Sequence, residues 1–126
     1  MPRFERFEEI EAWQKARRPA QAVYDACSDA RFARDFPLGD QIRRGAISVM
    51  ASISEGFGRS GDREFLHFLA VAKGSVHEAG SHLYVALDHG YVTPEPFAEL
   101  QARAAEVGRM IGGLMEYLRR SGMKGG

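Results

Sequence analysis

From Gly45 to Ser54 the chain carries no charged residue, and the run is bracketed by Arg43 and Arg44 on one side and Glu55 on the other. At helical pitch an ordinary surface helix shows one apolar stripe and a charged back. Here Ile42, Ala46, Val49 and Ile53 supply the stripe, while Ile47, Met50 and Ala51 cover the remaining faces. A helix over this stretch is therefore expected to be buried on more than one side. A bilayer span takes ~20 apolar residues, so the surroundings of this shorter run should be protein.

The flanking segments read as helices that pack against it. From Phe7 to about Ser28, Trp13, Ala16, Ala20, Val23 and Cys27 recur at steps of three and four, with Ile10 one turn earlier. Pro19 interrupts this seam, and an interior proline costs ~3 kcal/mol. A kink near Arg17 or Arg18 would accommodate it, as would two separate short helices. Residues 28–37 read as a short helical turn and connector containing Phe32 and Phe36, with Pro37 at or just before the start of the next helix. The central helix is placed at about 38–55. Gly56 falls where a left-handed cap would close it, and Phe57 where the accompanying apolar contact falls.

A third helix, at about 62–89, carries the four-three repeat Phe65, Leu69, Ala72, Val76, Ala79, Leu83 and Ala86, and Gly90 stops it. Thr93 as a cap and Pro94 at the first helical position open a fourth, at about 94–120, with Phe97, Leu100, Ala104, Val107, Ile111, Leu114 and Leu118 on one face. Residues 121–126 read as a flexible tail. Short connections and the absence of any strand pattern predict one all-α domain over residues 1–126, an antiparallel up-and-down four-helix bundle.

Composition narrows the function classes. With 17 basic and 17 acidic side chains the 126-residue chain has no global field to draw in nucleic acid, so any such binding must use local patches. A single cysteine, Cys27, leaves no internal disulfide and no cysteine-rich zinc site. The N-terminal residues lack the apolar core of a secretory signal and no segment is long enough to span a membrane, so the cytoplasm is the default compartment.

Self-association follows from the uncharged circumference of Gly45–Ser54, which an isolated bundle would leave facing water. Leu66, Phe68 and Val71 lie beside the seam of the third helix and add to the same problem. Glycines inside predicted helices, among them Gly45, Gly74, Gly80, Gly108, Gly112 and Gly113, each cost roughly 1 kcal/mol relative to alanine unless helices approach closely there. Arg44 and Glu55 would stand ~16 Å apart on one helix, too far to pair. They are expected to pair across helices or subunits. The expected interface residues are Arg43, Arg44, Ile47, Met50, Glu55, Phe57 and Leu66.

Candidate chemistry is sparse. Gly56–Gly61 has the glycine spacing of a phosphate loop, yet it follows a helix and continues into Asp62 and Arg63, which excludes a nucleotide-hydrolysing P-loop. A glycine-rich turn with Arg59 and Arg63 at a helix N-terminus could hold a phosphate. Alternatively it is an interhelix turn with solvated arginines. All four histidines, His67, His77, His82 and His89, fall on the third helix, and Glu64 with His67 has the spacing used in carboxylate di-metal bundles. No second pair exists to complete such a site, so neither metal nor cofactor is expected. No Ser, His and Asp spacing resembles a nucleophile motif, and the expectation is a protein that is not an enzyme. Basic residues cluster as Lys15, Arg17 and Arg18, as Arg43 and Arg44, as Arg59, Arg63 and Lys73, and as Arg119, Arg120 and Lys124. In a symmetric ring one such cluster would repeat into a basic rim able to meet phosphates.

Several stretches carry a resemblance over nearly the whole chain: Trp13 and Gln14 with Val23 and Tyr24, then QIRRGAIS, SISEGFGR, EFLHFLAVAKGSVHE and LDHGY. The most specific positions are Gln41, Arg43, Arg44 and Ser48, then Glu55, Gly56, Phe57 and Arg59, and then Ala72, Lys73, Gly74, Ser75 and Glu78. Together they resemble the small bacterial four-helix-bundle proteins encoded within intervening sequences of large-subunit ribosomal RNA genes, a family sometimes labelled ribosomal-protein-like. The chain is also similar to the accessory protein of diversity-generating retroelements, a pentameric barrel that partners a reverse transcriptase and nucleic acid. The resemblance implies a homopentamer without catalytic activity or cofactor. Where the family has an Asn-Ile-Ala-Glu-Gly run this chain has Ser52 and Ser54, and Gly45 replaces an alanine.

Two functions from different classes follow. One is a non-enzymatic oligomer that binds RNA or DNA through a repeated basic surface, with Arg59, Arg63, Lys73, Arg17 and Arg18 as the contacting residues. The other is a structural or adaptor oligomer that binds a protein partner, such as a reverse transcriptase, without touching nucleic acid.

Overall fold

The computed structural model describes residues 4–121. Among them every regular element is helical: a 3-10 turn at Phe7–Glu9, then α1 (Glu11–Cys27), α2 (Ala30–Ala33), α3 (Phe36–Gly58), α4 (Asp62–Asp88) and α5 (Pro94–Arg120). The chain is all-α, as its patterning predicts. The tail expected at 121–126 lies outside the described residues from 122 onward, and Lys124 with it.

Local chemistry explains where the boundaries depart from expectation. The first helix begins at Glu11 rather than Phe7, because Phe7–Glu9 turns in a 3-10 conformation that sets Phe7 edge-on against Trp13, with ring centroids 5.1 Å apart. It then runs unbroken through Pro19, which disposes of two separate short helices. The carbonyl that Pro19 leaves without a donor belongs to Lys15, an exposed residue that water can reach. The connector holds a single turn, α2, capped by Asp29, whose carboxylate accepts from the Arg31 N–H at 2.9 Å. Its Phe32 is driven fully into the core.

The central helix is longer than the sequence suggests at both ends. Asp35 caps it by accepting from the Leu38 N–H at 3.2 Å, so Pro37 falls inside the first turn, where its missing donor is harmless. At the other end Gly56 is no cap: it is a buried helical residue, and α3 continues to Gly58. Left-handed backbone occurs instead at Gly61 (φ 101°), in the turn before α4, and at Gly90 (φ 74°), the predicted stop of α4.

Neighbouring helices pack antiparallel. Along α3 and α4, Gly56 lies beside Phe65 and Phe68, Ser48 shares a 3.1 Å hydrogen bond with Ser75, and Gly45 faces Ala79. Along α4 and α5, Lys73 reaches Gly112, and Gln101 Nε2 donates to the Gly80 carbonyl at 2.9 Å. α1 packs against α3 and α5, and α4 packs against the same two, so the α3/α4 side of the molecule lies opposite the α1/α5 side. The seams predicted from periodicity supply the buried core. One cluster gathers Ile53, Leu69, Ala72 and Ile111, and a second gathers Phe32, Ile42, Leu83 and Leu100. Between them Ala16, Ala20, Ala46, Ala79 and Ala104 form a waist around an apolar cavity of about 40 Å³.

Candidate functional site

The uncharged run splits into two faces within the chain. Gly45, Val49, Ser52 and Ile53 turn inward and are buried. Ala51 is exposed, and Ile47 keeps 47% of its surface in water. With the register fixed by the Ser48–Ser75 pair, Val71 of α4 stands level with Ala51, and it is 41% exposed. The α3/α4 side therefore presents aliphatic side chains with no charged residue of α3 between Arg44 and Glu55. Transfer of such surface out of water is favourable at about 25 cal/mol per Å².

The charges that end this stripe are satisfied locally. Arg44 Nε donates to Asp40 Oδ2 at 2.8 Å, and Arg59 donates to Glu55 Oε2 at 2.7 Å, each one helical turn away. The expected pairing of Arg44 and Glu55 across helices is thus corrected within the chain. A four-residue spacing of opposite charge is the simplest helical ion pair, and Asp40 and Arg59 occupy it.

Three other expected interface residues are partly committed to their own core. Met50, Phe57 and Leu66 are half-buried against the first cluster, and Phe57 meets Phe65 edge-on with centroids 6.2 Å apart. Arg43 turns inward. Its guanidinium lies 5.4 Å from the Phe36 ring centroid and 4.0 Å from Asp40, beside the Cys27 thiol, which itself donates to the Gly39 carbonyl at 3.9 Å. Burial pushes that thiol above its ordinary value, and the nearby guanidinium pulls it back in part.

The five cationic residues expected at an anion site do not converge. Arg59 caps α3, paired to Glu55 and stacked 5.2 Å over Phe68, while Asp62 and Glu64 already place negative charge in the first turn of α4. Arg63 is exposed on that same turn. Lys73 stands ~15 Å further along α4, over Gly112 of α5. Arg17 and Arg18 belong to the opposite side of the molecule. There they join Lys15 and Arg103 around a polar groove of about 560 Å³ between α1 and α5, with Glu106 as its one carboxylate. Arg103 is neutralised by Glu99 at 2.7 Å, whereas Lys15, Arg17 and Arg18 form no ion pair among the described residues.

Ala51 and Val71 belong to the α3/α4 surface and Lys15 to the α1/α5 groove, although none of the three is among the interface or anion-site residues expected from the sequence. For Ala51 and Val71 the signal is present in the spacing but depends on knowing the α3/α4 register. Among the described residues no group of three or more His, Cys, Asp and Glu is placed to hold a metal ion, and no helix is long and apolar enough to cross a membrane.

Residues 8–113 match the 23S rRNA-intervening sequence protein family. The chain is similar to a crystal structure of a protein of unknown function from the S23 ribosomal protein family of Bacteroides thetaiotaomicron, with a TM-score of 0.76 and 19% identity. That likeness covers 82% of this chain and 97% of the other, and at this identity it is a likeness of fold. No curated protein matches the chain in sequence.

Proposed function

The chain belongs to the 23S rRNA-intervening sequence protein family, and on that premise we propose that it is a non-enzymatic, homo-oligomeric four-helix bundle that binds RNA or DNA. Five subunits is the number implied by the resemblance. A ring of five closes through head-to-tail contacts, so the α3/α4 side of one subunit meets a different patch of its neighbour. The cytoplasm is the compartment this reading takes.

One observation carries the reading. Lys15, Arg17 and Arg18 collect around the α1/α5 groove, opposite the α3/α4 side where Ile47, Ala51 and Val71 face water. Association of the apolar side with a patch of the neighbour other than the α1/α5 groove would leave the basic side outward and repeat it once per subunit. A chain of zero net charge would thereby acquire a local field strong enough to hold phosphates.

The test is binding of a fluorescent single-stranded RNA at 50 and 200 mM salt. With about three phosphates met per subunit, affinity should fall roughly tenfold or more over that range. The double variant Arg17→Ala/Arg18→Ala should lose most of the binding and most of the salt slope. Unchanged binding by the variant would sink the proposal. Salt-independent co-purification with a protein such as a reverse transcriptase would support the adaptor function in its place.

A further inference from the structure

Outside the contact between α4 and α5 runs a second groove, of about 610 Å³, which the RNA reading does not use. Its floor is made of small residues, Gly80, Ala104, Ala105, Gly108 and Gly112, with Val76 beneath them. Glycine inside a helix is unfavourable and usually answers to a close neighbour. Gly80 has one, because a β-carbon there would come within 3.2 Å of Gln101 Oε1. Gly108 and Gly112 do not. A β-carbon on Gly108 would meet only Val76, at 3.7 Å, and one on Gly112 only the Lys73 ammonium, at 3.8 Å. The packing of the single chain therefore does not call for glycine at either position, and the floor of the groove stays open.

The rim defines the charge of that visitor. Lys73 and His77 on α4 and Arg109 on α5 line the groove, and no Asp or Glu does. Lys73 and Arg109 are exposed and form no ion pair among the described residues. The span from Lys73 to Tyr84 is ~16 Å, or three helical turns. An extended peptide would find no free backbone donors on helical walls. A phosphate backbone laid on this apolar floor would lose water without compensation. A helix suits both features, with its own hydrogen bonds closed, a small-residue or aliphatic ridge for the floor, and acidic flanks for the rim.

We propose that the α4/α5 groove docks an acidic amphipathic helix of a protein partner, with its ridge seated on Gly108 and Gly112 and its carboxylates paired to Lys73 and Arg109. This docking is independent of RNA binding at Arg17 and Arg18.

Two synthetic helical peptides test it against the full chain by fluorescence anisotropy. They share an Ala/Leu ridge and carry either glutamate or lysine flanks. The wild type should bind the glutamate peptide at least tenfold more tightly than the lysine peptide. Lys73→Glu/Arg109→Glu should reverse that order, and Gly108→Leu, which keeps the helix and fills the groove, should abolish binding of both. Circular dichroism confirms that each variant is folded. Equal affinity for the two peptides, no binding of the glutamate peptide, or an unreversed preference overturns the proposal. It is also overturned if Gly108→Leu lowers the solution mass, which would make the occupant a second copy. Loss of RNA binding in the reversal variant, with the peptide unbound, would assign the groove to nucleic acid.

Discussion

A β-carbon on Gly56 would stand 2.6 Å from Cβ of Phe68, closer than folded proteins allow, and a tight 3.2 Å from the Phe65 ring. Gly74, on the next helix, has nothing within 4 Å of that position. The two glycines therefore respond oppositely to the same change. Gly56→Ala should lower unfolding stability by about 1–3 kcal/mol through overpacking, while Gly74→Ala should raise it by up to about 1 kcal/mol through helix propensity. Urea unfolding of both variants checks the sign. In sequence Gly56 resembles a helix cap, since glycine after an apolar run serves either purpose and only the position of Phe68 on another helix decides. Cys27 offers a second residue-scale test. Burial raises its thiol above the ordinary value, so the folded state holds the proton more tightly than the unfolded chain. That stabilisation is complete below the ordinary thiol value and is lost as pH rises through the folded one. Stability should be flat near neutrality and fall above about pH 9, and Cys27→Ala should show a shallower alkaline slope. Parallel slopes for the two proteins would contradict it.

Among the elements, α1 bears a local cost that its packing outweighs. Its seam of Ile10, Ala12, Ala16, Ala20, Val23 and Cys27 is buried from end to end, although Pro19 removes one ladder hydrogen bond in the middle. Pro19→Ala restores the bond to Lys15 and should stabilise the protein by about 1–3 kcal/mol, read as a higher thermal midpoint. A fall in the midpoint would show that the ring's packing around the central cavity matters more. The long seams of α4 and α5 were legible because apolar residues recur over many turns, and their half-buried members, Ala79 and Ala104, sit at the alanine waist. The ends of α3 were not legible. They depend on the Asp35 cap and on Gly56 packing beneath Phe65 and Phe68, and both need residues whose contacts are not periodic. Likewise Arg43 and Arg44 are adjacent and alike in sequence, yet one turns in toward Cys27 and the other faces water with Asp40.

For the whole molecule, the decisive feature is the opposition of two sides. Ile47, Ala51 and Val71 face outward from α3 and α4, and Lys15, Arg17 and Arg18 face outward from α1, along its groove with α5. The sequence shows the uncharged run and the basic clusters, but which of them share a side depends on the cyclic order of helices, which periodicity does not encode. The proposed association and the proposed phosphate binding both rest on this opposition, in a chain with equal numbers of acidic and basic groups. The measurement that tests it most directly is the solution mass, by light scattering, of the wild type and of Ile47→Glu/Val71→Glu. The wild type should have a mass about five times the 14.0 kDa of one chain, and the double variant, equally helical, should fall to the mass of a single chain. A wild type of one chain's mass, or a double variant that keeps the wild-type mass, would contradict the account.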